Sequence, residues 1–376
     1  MEKQTNCANC VIFVFLAVFC TSNIAVFTAC TGDEGPTGEK PFVPGPTNPF
    51  ITDRFTADPA AFFDNDGTVY IVCGEDTLPP DAQPSEYYRI SRWHIYSTRD
   101  MKTFKYENVL MRSEDFSYGQ VNSAWASQAI RGLDGRYYFY GTVQSSQGQV
   151  ISVAVADDPR GPYEQVGRTP LVTRNMVSTD LRKSHENIDP TVFIDDDGTA
   201  YLAWGQINPC ITKLKDTMTE IERPIRFLFP EDGSWKSEDE YREGPFLYKR
   251  KGKYYMFYAS MKVDSQRRDI AETISYAMAD SLEGPWTDGV RITDCAPAID
   301  EENSFTIHPA VLDFKEQTYL FYHNAMLKLD VDGVEWRGAT GRRSLCVDYL
   351  YFNDDGTIQF VDVRNPAGLS APPKGK

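Results

Sequence analysis

Apolar positions along this chain recur mostly with a period of two, and helical periodicity is nearly absent. The clearest stretches share one pattern: an apolar strand, a turn, and a second strand dense in aromatics. They are "AAFFDNDGTVYIVCG" at 60–74, "QAIRGLDGRYYFYGT" at 128–142, "TVFIDDDGTAYLAWG" at 191–205, "PFLYKRKGKYYMFYA" at 245–259 and "AVLDFKEQTYLFYHN" at 310–324. The first three carry Asp-Gly at the turn and the fourth Gly-Lys, which favour tight hairpins because glycine reaches positive φ without a Cβ clash. The fifth has no glycine, so its turn must be built differently.

A further amphipathic strand follows most hairpins. Examples are "RWHIYSTRDMKTFKY" at 92–106, the near-copies "QVISVAVADDPRGPY" at 149–163 and "ETISYAMADSLEGPW" at 272–286, and "RRSLCVDYLYFNDDG" at 342–356. The hairpins start 68, 63, 54 and 65 residues apart. Five units of that length, each with three or four short strands, predict an all-β fold, a five-bladed β-propeller. A β-sandwich would show the turns without the long period.

The heads of the five units carry the candidate chemistry. In a propeller the first strand of each blade lines the central channel, so the residues just before it converge on one mouth. These heads read "FTADP" (55–59), "AWASQ" (124–128), "NIDP" (187–190), "REGP" (242–245) and "TIHP" (306–309). Asp58, Asp189 and Glu243 therefore project into one funnel from three blades, and Trp125 and His308 enter it from the other two. Cleavage of a glycosidic bond asks for such a set. One carboxylic acid protonates the leaving oxygen while a carboxylate activates water on the opposite face. Neighbouring like charge can hold the acid's pKa near working pH. Asp158-Pro159 in "DDPRGP" follows a later strand, away from any head, and reads as a plain turn. Glu240, close to Glu243 in "KSEDEYREGP", competes for the same role, and the Gly-Pro after Glu243 favours the latter.

With 41% hydrophobic and 13% aromatic residues, the chain of 376 residues can fill a sizeable core. Its net charge is −16 with no Lys/Arg run, which excludes nucleic acid and anionic membrane surfaces as partners and leaves a neutral one such as a sugar. The N-terminus differs from the rest. Lys3 precedes an apolar stretch that ends at Cys30, and residues 1–30 read as a secretory signal. "FTAC" before "TGDEG" resembles a bacterial lipoprotein cleavage site, in which Cys30 becomes the lipidated first residue. Phe27 stands where Leu is usual there, and the charged region is thin; an uncleaved anchor helix is the rival reading. The expectation is an exported chain held at the bacterial outer membrane by a lipid anchor, facing the cell surface or periplasm. Residues 31–49 are then a Pro/Gly-rich tether, 50–363 the propeller and 364–376 a C-terminal tail. Cys7, Cys10, Cys20 and Cys30 belong to the leader. Cys73, Cys210, Cys295 and Cys346 are scattered without metal spacing, and Cys73 and Cys346 fit buried thiols.

Asp-Pro in the first unit, Ile-Asp-Pro in the third and Glu-Gly-Pro in the fourth resemble glycoside hydrolase family 43, five-bladed propeller arabinofuranosidases, xylosidases and arabinanases. The likeness runs over roughly residues 48 to 363. It implies an inverting hydrolase of arabinose- or xylose-containing plant polysaccharides or oligosaccharides. By motif, Asp58 resembles the general base, Glu243 the general acid, and Asp189 the residue that tunes and orients the acid. His308 resembles the family's axial histidine, which implies a water-coordinated calcium in the channel, although a lone His is a poor calcium ligand and the residues themselves outline no metal site. The catalysis implied needs no organic cofactor. Trp125 fits a sugar-stacking wall, and Arg342 or Arg343 an arginine that reaches into the sugar pocket. His94, His185 and His323 are read as structural, and the acidic turn Asp195, Asp196, Asp197 as a solvated hairpin tip. Within enzymes the rivals are a fructan hydrolase, whose usual Asn-Asp-Pro-Asn-Gly is replaced here by "TADPAAF", and a glycoside phosphorylase, which would need a basic cluster. A non-catalytic sugar-binding propeller is the rival from another class.

Overall fold

A computed structural model describes residues 42–77, 88–177, 186–230, 232–263, 269–295, 306–327 and 341–374. The leader, Cys30, most of the expected tether and His185 lie outside them. The described chain forms five antiparallel sheets in sequence order. Blade I holds β1 (Thr56–Phe63), β2 (Val69–Asp76), β3 (Ile90–Thr98) and β4 (Lys105–Arg112). Blade II holds β5 (Ser127–Arg131), β6 (Tyr137–Ser145), β7 (Gly148–Ala156) and β8 (Glu164–Gln165). Blade III comprises β9 (Thr191–Ile194), β10 (Ala200–Trp204), β11 (Cys210–Leu214) and β12 (Ile221–Phe227). Blade IV comprises β13 (Glu240–Arg250), β14 (Lys253–Val263), β15 (Asp269–Ala279) and β16 (Val290–Arg291), and blade V has β17 (Ala310–Phe314), β18 (Gln317–Asn324) and β19 (Ser344–Leu350).

The first strands close a ring, with β1 packed on β5 and β17, β9 on β5 and β13, and β13 on β17. All five heads therefore meet around one axis. The hairpin turns form as their residues dictate. Asp-Gly and Lys-Gly turns place Gly67, Gly135, Gly198 and Gly252 at positive φ, while in the glycine-free turn of blade V Lys315 takes φ of 55°.

Apolar burial lies between blades rather than on the axis. Trp93, Phe116, Phe139 and Val143 fill the seam of blades I and II, and Tyr140, Val192, Leu202 and Trp204 that of II and III. Phe229, Tyr241, Tyr258 and Trp286 fill the next seam. Strand alternation explains this placement, because each sheet offers one face to each neighbour. Polar residues reinforce the seams. Asp195, expected as a solvated tip, is largely covered: Lys249 Nζ reaches it at 2.5 Å and Tyr254 Oη at 2.6 Å, both from blade IV. Asp158 does sit in a turn, held by Arg160 at 2.6 Å. Cys73 and Cys346 are buried free thiols, and Cys210 is buried as well.

Both ends of the described chain join blade V, so the propeller extends past the boundaries expected at 49/50 and 363/364. Gly45 N donates to Leu369 O, Leu369 N to Pro46 O and Phe50 N to Leu345 O. Asn48 is the clasp: Oδ1 accepts from Val347 N at 2.9 Å and Nδ2 donates to Asp348 Oδ2 at 2.7 Å. An amide that satisfies both a strand N–H and a buried carboxyl gives the segment a fixed place, where composition alone suggested a flexible tether.

Burial pushes the Asp348 carboxyl up to about 7, against the hydrogen bonds from Tyr322 and Asn48. The native state therefore binds a proton that the unfolded chain has already released. Stability from this group is full below about pH 4 and is lost as pH rises through about 7. The expected outcome for Asp348→Asn is a flatter pH dependence than wild type between those limits. Urea unfolding at several pH values checks it. A wild-type slope that survives the substitution would place it on other groups.

Candidate active site

Three heads use the same local device. Asp58, Asp189 and Gly244 each precede a proline and each adopt a left-handed backbone, with φ of 55°, 57° and 58°. A residue before proline is steered to extended conformations, so these are strained positions that only Gly, Asp and Asn tolerate well. In blades I and III the carboxylate itself occupies the left-handed position. In blade IV glycine takes it and the carboxylate moves one residue back, to Glu243. Glycine is also required for space, since a Cβ on Gly244 would stand 3.0 Å from the His308 ring.

Each head is then fixed by hydrogen bonds. Asp58 N donates to His323 Nδ1 at 3.0 Å, and Asp189 N to Thr142 Oγ1 at 3.0 Å. Gly244 N donates to Asp189 Oδ2 at 2.9 Å, which ties blade III to blade IV beside Glu243. His323 is structural, as expected, in a specific sense. Burial, with the charges of Arg343 and His308, depresses its pKa far below the ordinary histidine value, so the neutral ring accepts at Nδ1 and donates from Nε2 to Thr306. His94 is remote from the funnel and bonds Glu75 at 2.8 Å.

A cavity of about 290 Å³ opens over these heads, and Asp58, Asp189, Glu243, His308, Trp125 and Arg343 all line it. The imidazole of His308 stands between the carboxylates. Nδ1 lies 3.3 Å from Asp58 Oδ1, and Nε2 is 3.1 Å from Glu243 Oε1 and 3.8 Å from Asp189 Oδ2. Burial alone would discharge this ring, but Asp58, Asp189 and Glu243 carry its pKa up to about 10, so it is an imidazolium at neutral pH. Burial also raises Asp189, opposed by His308 and supported by the charges of Glu243 and Asp58, to about 7. Glu243 goes the other way: burial would raise it, but hydrogen bonds from His308 and from Gln206 Nε2, the latter at 2.8 Å, hold it below the usual range. The resting cluster thus keeps its proton on Asp189 and not on Glu243.

Of the two candidate arginines, only Arg343 lines the cavity. Its NH1 donates to Asp58 Oδ1 at 3.0 Å and to Thr306 Oγ1 at 2.8 Å. Asp76 grips the other side of the guanidinium, at 3.0 Å on Nε and 2.9 Å on NH2. Arg342 is buried but does not reach the cavity, because successive residues near a strand start point to opposite faces. Glu240 is exposed on the outer end of β13, which removes it as a rival of Glu243. Trp125 forms a wall, its indole N–H donating to Tyr88 O at 3.1 Å.

Sequence reasoning missed Asp76, Gln206 and Glu272, which surround the same groups. Their only sequence signal is a polar residue at an inward position of a strand or just beyond one, visible once the strand's facing is known.

These residues do not supply a direct coordination shell for the water-coordinated calcium that the likeness implies. The ligand atoms of Asp189, Glu243 and His308 lie within 4.8 Å of one another. Two carboxylate oxygens and a protonated ring nitrogen fall short of the six to eight oxygens calcium takes. On the axis beneath lies a void of about 20 Å³ bordered by Asp58, Ser127, Gln128, Asp189 and His308. It has room for about one water, for which the buried Ser127 Oγ, unpartnered among the described residues, is a ready donor.

Residues 47–358 match the family model described as Glycosyl hydrolases family 43. "Xylosidase/arabinosidase 43A" of Humicola insolens is 28% identical over 357 residues, spanning 82% of this chain and 98% of its own. A "Xylosidase/arabinosidase" of Bacteroides ovatus is 26% identical, spanning 83% of this chain and 96% of its own. A solved α-L-arabinofuranosidase from Clostridium thermocellum superposes with a TM-score of 0.62 at 28% identity, over 83% of this chain and 95% of that one. With the match covering most of the chain and the five blades arranged as it requires, the chain belongs to glycosyl hydrolases family 43 and is a glycoside hydrolase.

Proposed function

We propose that this hydrolase cleaves α-L-arabinofuranosyl or β-D-xylosyl linkages of plant cell-wall polysaccharides or oligosaccharides, with inversion at the anomeric carbon. The observation that carries the reading is the imidazole of His308 standing between the carboxylates of Asp58 and Glu243. A ring standing between the two carboxyl groups favours the wider of the two glycosidase spacings (about 6.5–9.5 Å), the one that leaves space for a water beside the sugar. Asp58, with Arg343 at its side, takes a proton from that water as its oxygen bonds to the anomeric carbon. The bond from that carbon to the glycosidic oxygen breaks, and Glu243 supplies the proton to the departing oxygen.

Asp189 is the proton store. Its carboxyl, raised to about 7, lies 3.8 Å from His308 Nε2, the ring nitrogen that bonds Glu243. Trp125 offers a face for the sugar ring, and Arg343 a donor for its hydroxyls. No metal or organic cofactor enters these steps. The likeness to two proteins named xylosidase/arabinosidase supports the substrate class. The apolar leader ending at Cys30 supports export and a lipid anchor for the enzyme.

Hydrolysis of p-nitrophenyl α-L-arabinofuranoside and β-D-xyloside tests the reading. Asp58→Ala is expected to lower kcat on aryl glycosides and on natural oligosaccharides alike, by roughly 10² to 10⁴. Glu243→Ala should lose far less on the aryl glycosides, because p-nitrophenolate departs without a proton. Equal losses on both substrate types would remove Glu243 as the acid.

The pH profile follows from the Asp189 proton. Activity is expected to fall as pH rises through about 7, where the store empties. In Asp189→Asn that limb should disappear together with most of the activity. An unmoved limb would assign it to another group.

Chelation gives a third outcome. Treatment with EDTA should leave both activity and melting temperature unchanged, and a loss restored by Ca²⁺ would overturn the reading of the axial void.

A further inference from the structure

Glu272, on β15, is the one carboxyl of the cavity with no part in the chemistry above. It is 3% exposed, lines the same cavity, and is fixed at one end only. Oε2 accepts from Ile307 N, the residue before His308, at 2.9 Å, while Oε1 has no hydrogen-bond partner among the described residues. A buried carboxyl with one oxygen anchored and the other left open to a cavity is built to meet a ligand. Tyr88, Met261, Thr306 and Arg242 line the cavity with it.

We propose that Glu272 is a substrate-binding residue whose Oε1 hydrogen-bonds a hydroxyl of the glycosyl unit held between Asp58 and Glu243. This deepens the function proposed above and rests on it. The protonation state sets the direction of the bond. Burial first, and then the charge of Glu243, push Glu272 well above the usual carboxylate range, with His308 and Arg242 opposing. The shift favours the neutral acid of Glu272, the form whose O–H donates while the sugar hydroxyl accepts. With Arg343 on the adjoining blade, Glu272 would fix the sugar from two blades. A donor buried in the wall rejects a sugar that lacks the matching oxygen more strongly than an apolar wall would.

The test compares wild type, Glu272→Gln and Glu272→Ala on p-nitrophenyl α-L-arabinofuranoside and β-D-xyloside and on their monodeoxy analogues, with melting temperature as the folding control. Glu272→Gln keeps an acceptor for Ile307 N and presents an amide donor, so it should lose under about 10-fold in kcat/KM, against about 10- to 100-fold for Glu272→Ala. One deoxy analogue should penalise wild type by a similar factor and penalise Glu272→Ala no further. If every deoxy penalty is the same in both proteins, or Glu272→Gln is as impaired as Glu272→Ala at native melting temperature, the assignment is wrong. Should wild type cleave neither glycoside, the hydrolase reading of the substrate fails on its own. Calorimetric binding of xylose and arabinose then decides Glu272: binding weakened in Glu272→Ala upholds it, and binding unchanged or absent overturns it.

Discussion

The charge balance around His308 is the constraint on which the centre of this propeller depends. Asp58, Asp76, Asp189, Glu243 and Glu272 are all buried near the axis. Removing a carboxylate from water costs several kcal/mol unless a partner compensates. Two cations do so from the ring itself: the imidazolium, touching the Asp58, Asp189 and Glu243 groups, and the Arg343 guanidinium, shared by Asp58 and Asp76. What they leave uncompensated raises the Asp189 and Glu272 carboxyls toward their protonated forms. The same balance that lets the heads converge therefore fixes where the protons reside before any sugar arrives.

The backbone serves that balance. A left-handed residue before proline turns the chain sharply at the channel mouth and aims a short side chain along the axis. Aspartate can occupy such a position; glutamate reaches the same place from one residue earlier, with its longer side chain and a glycine taking the strain. Backbone strain of about 1–3 kcal/mol at each site persists because the inter-blade seams hold both flanks. Phe229, which follows β12 of blade III, edge-on to Tyr258 of blade IV at 6.0 Å, and Lys249 reaching across to Asp195, show how neighbouring blades are locked. The rigidity of the site is thus a property of the seams.

The five blades were legible because each repeats a local pattern, alternation plus a turn, that needs no tertiary information. The blade-head carboxylates were legible for the same reason, since position within the repeat specifies position in the funnel. Glu272 and Asp76 were not, because a polar residue within or at the end of a strand looks the same whether it faces solvent or the axis. The choice between Arg342 and Arg343 likewise turned on facing. Asp348 and Asn48, which close the ring, were hidden by composition: a segment rich in Pro and Gly reads as a tether until its one amide is seen to satisfy a distant strand. Calcium was inferred from a likeness at His308, while the carboxylates that meet that ring, Asp58, Asp189 and Glu243, are distant in sequence and come together only in the fold.

On the proposed reading of Asp58 as base and Glu243 as acid, inversion requires a wide, fixed gap between them, and the order of propeller blades is a way to hold it. Asp58 and Glu243 come from blades that do not adjoin, with blade V and its histidine between them. Neither carboxylate can approach the other without displacing that ring, so the spacing follows from the order of the blades and not from the packing of any one loop. Changes in the loops over the funnel can then alter which sugar enters while the proton-transfer geometry beneath stays constant. That separation gives a physical reason for one architecture to serve both furanosides and pyranosides.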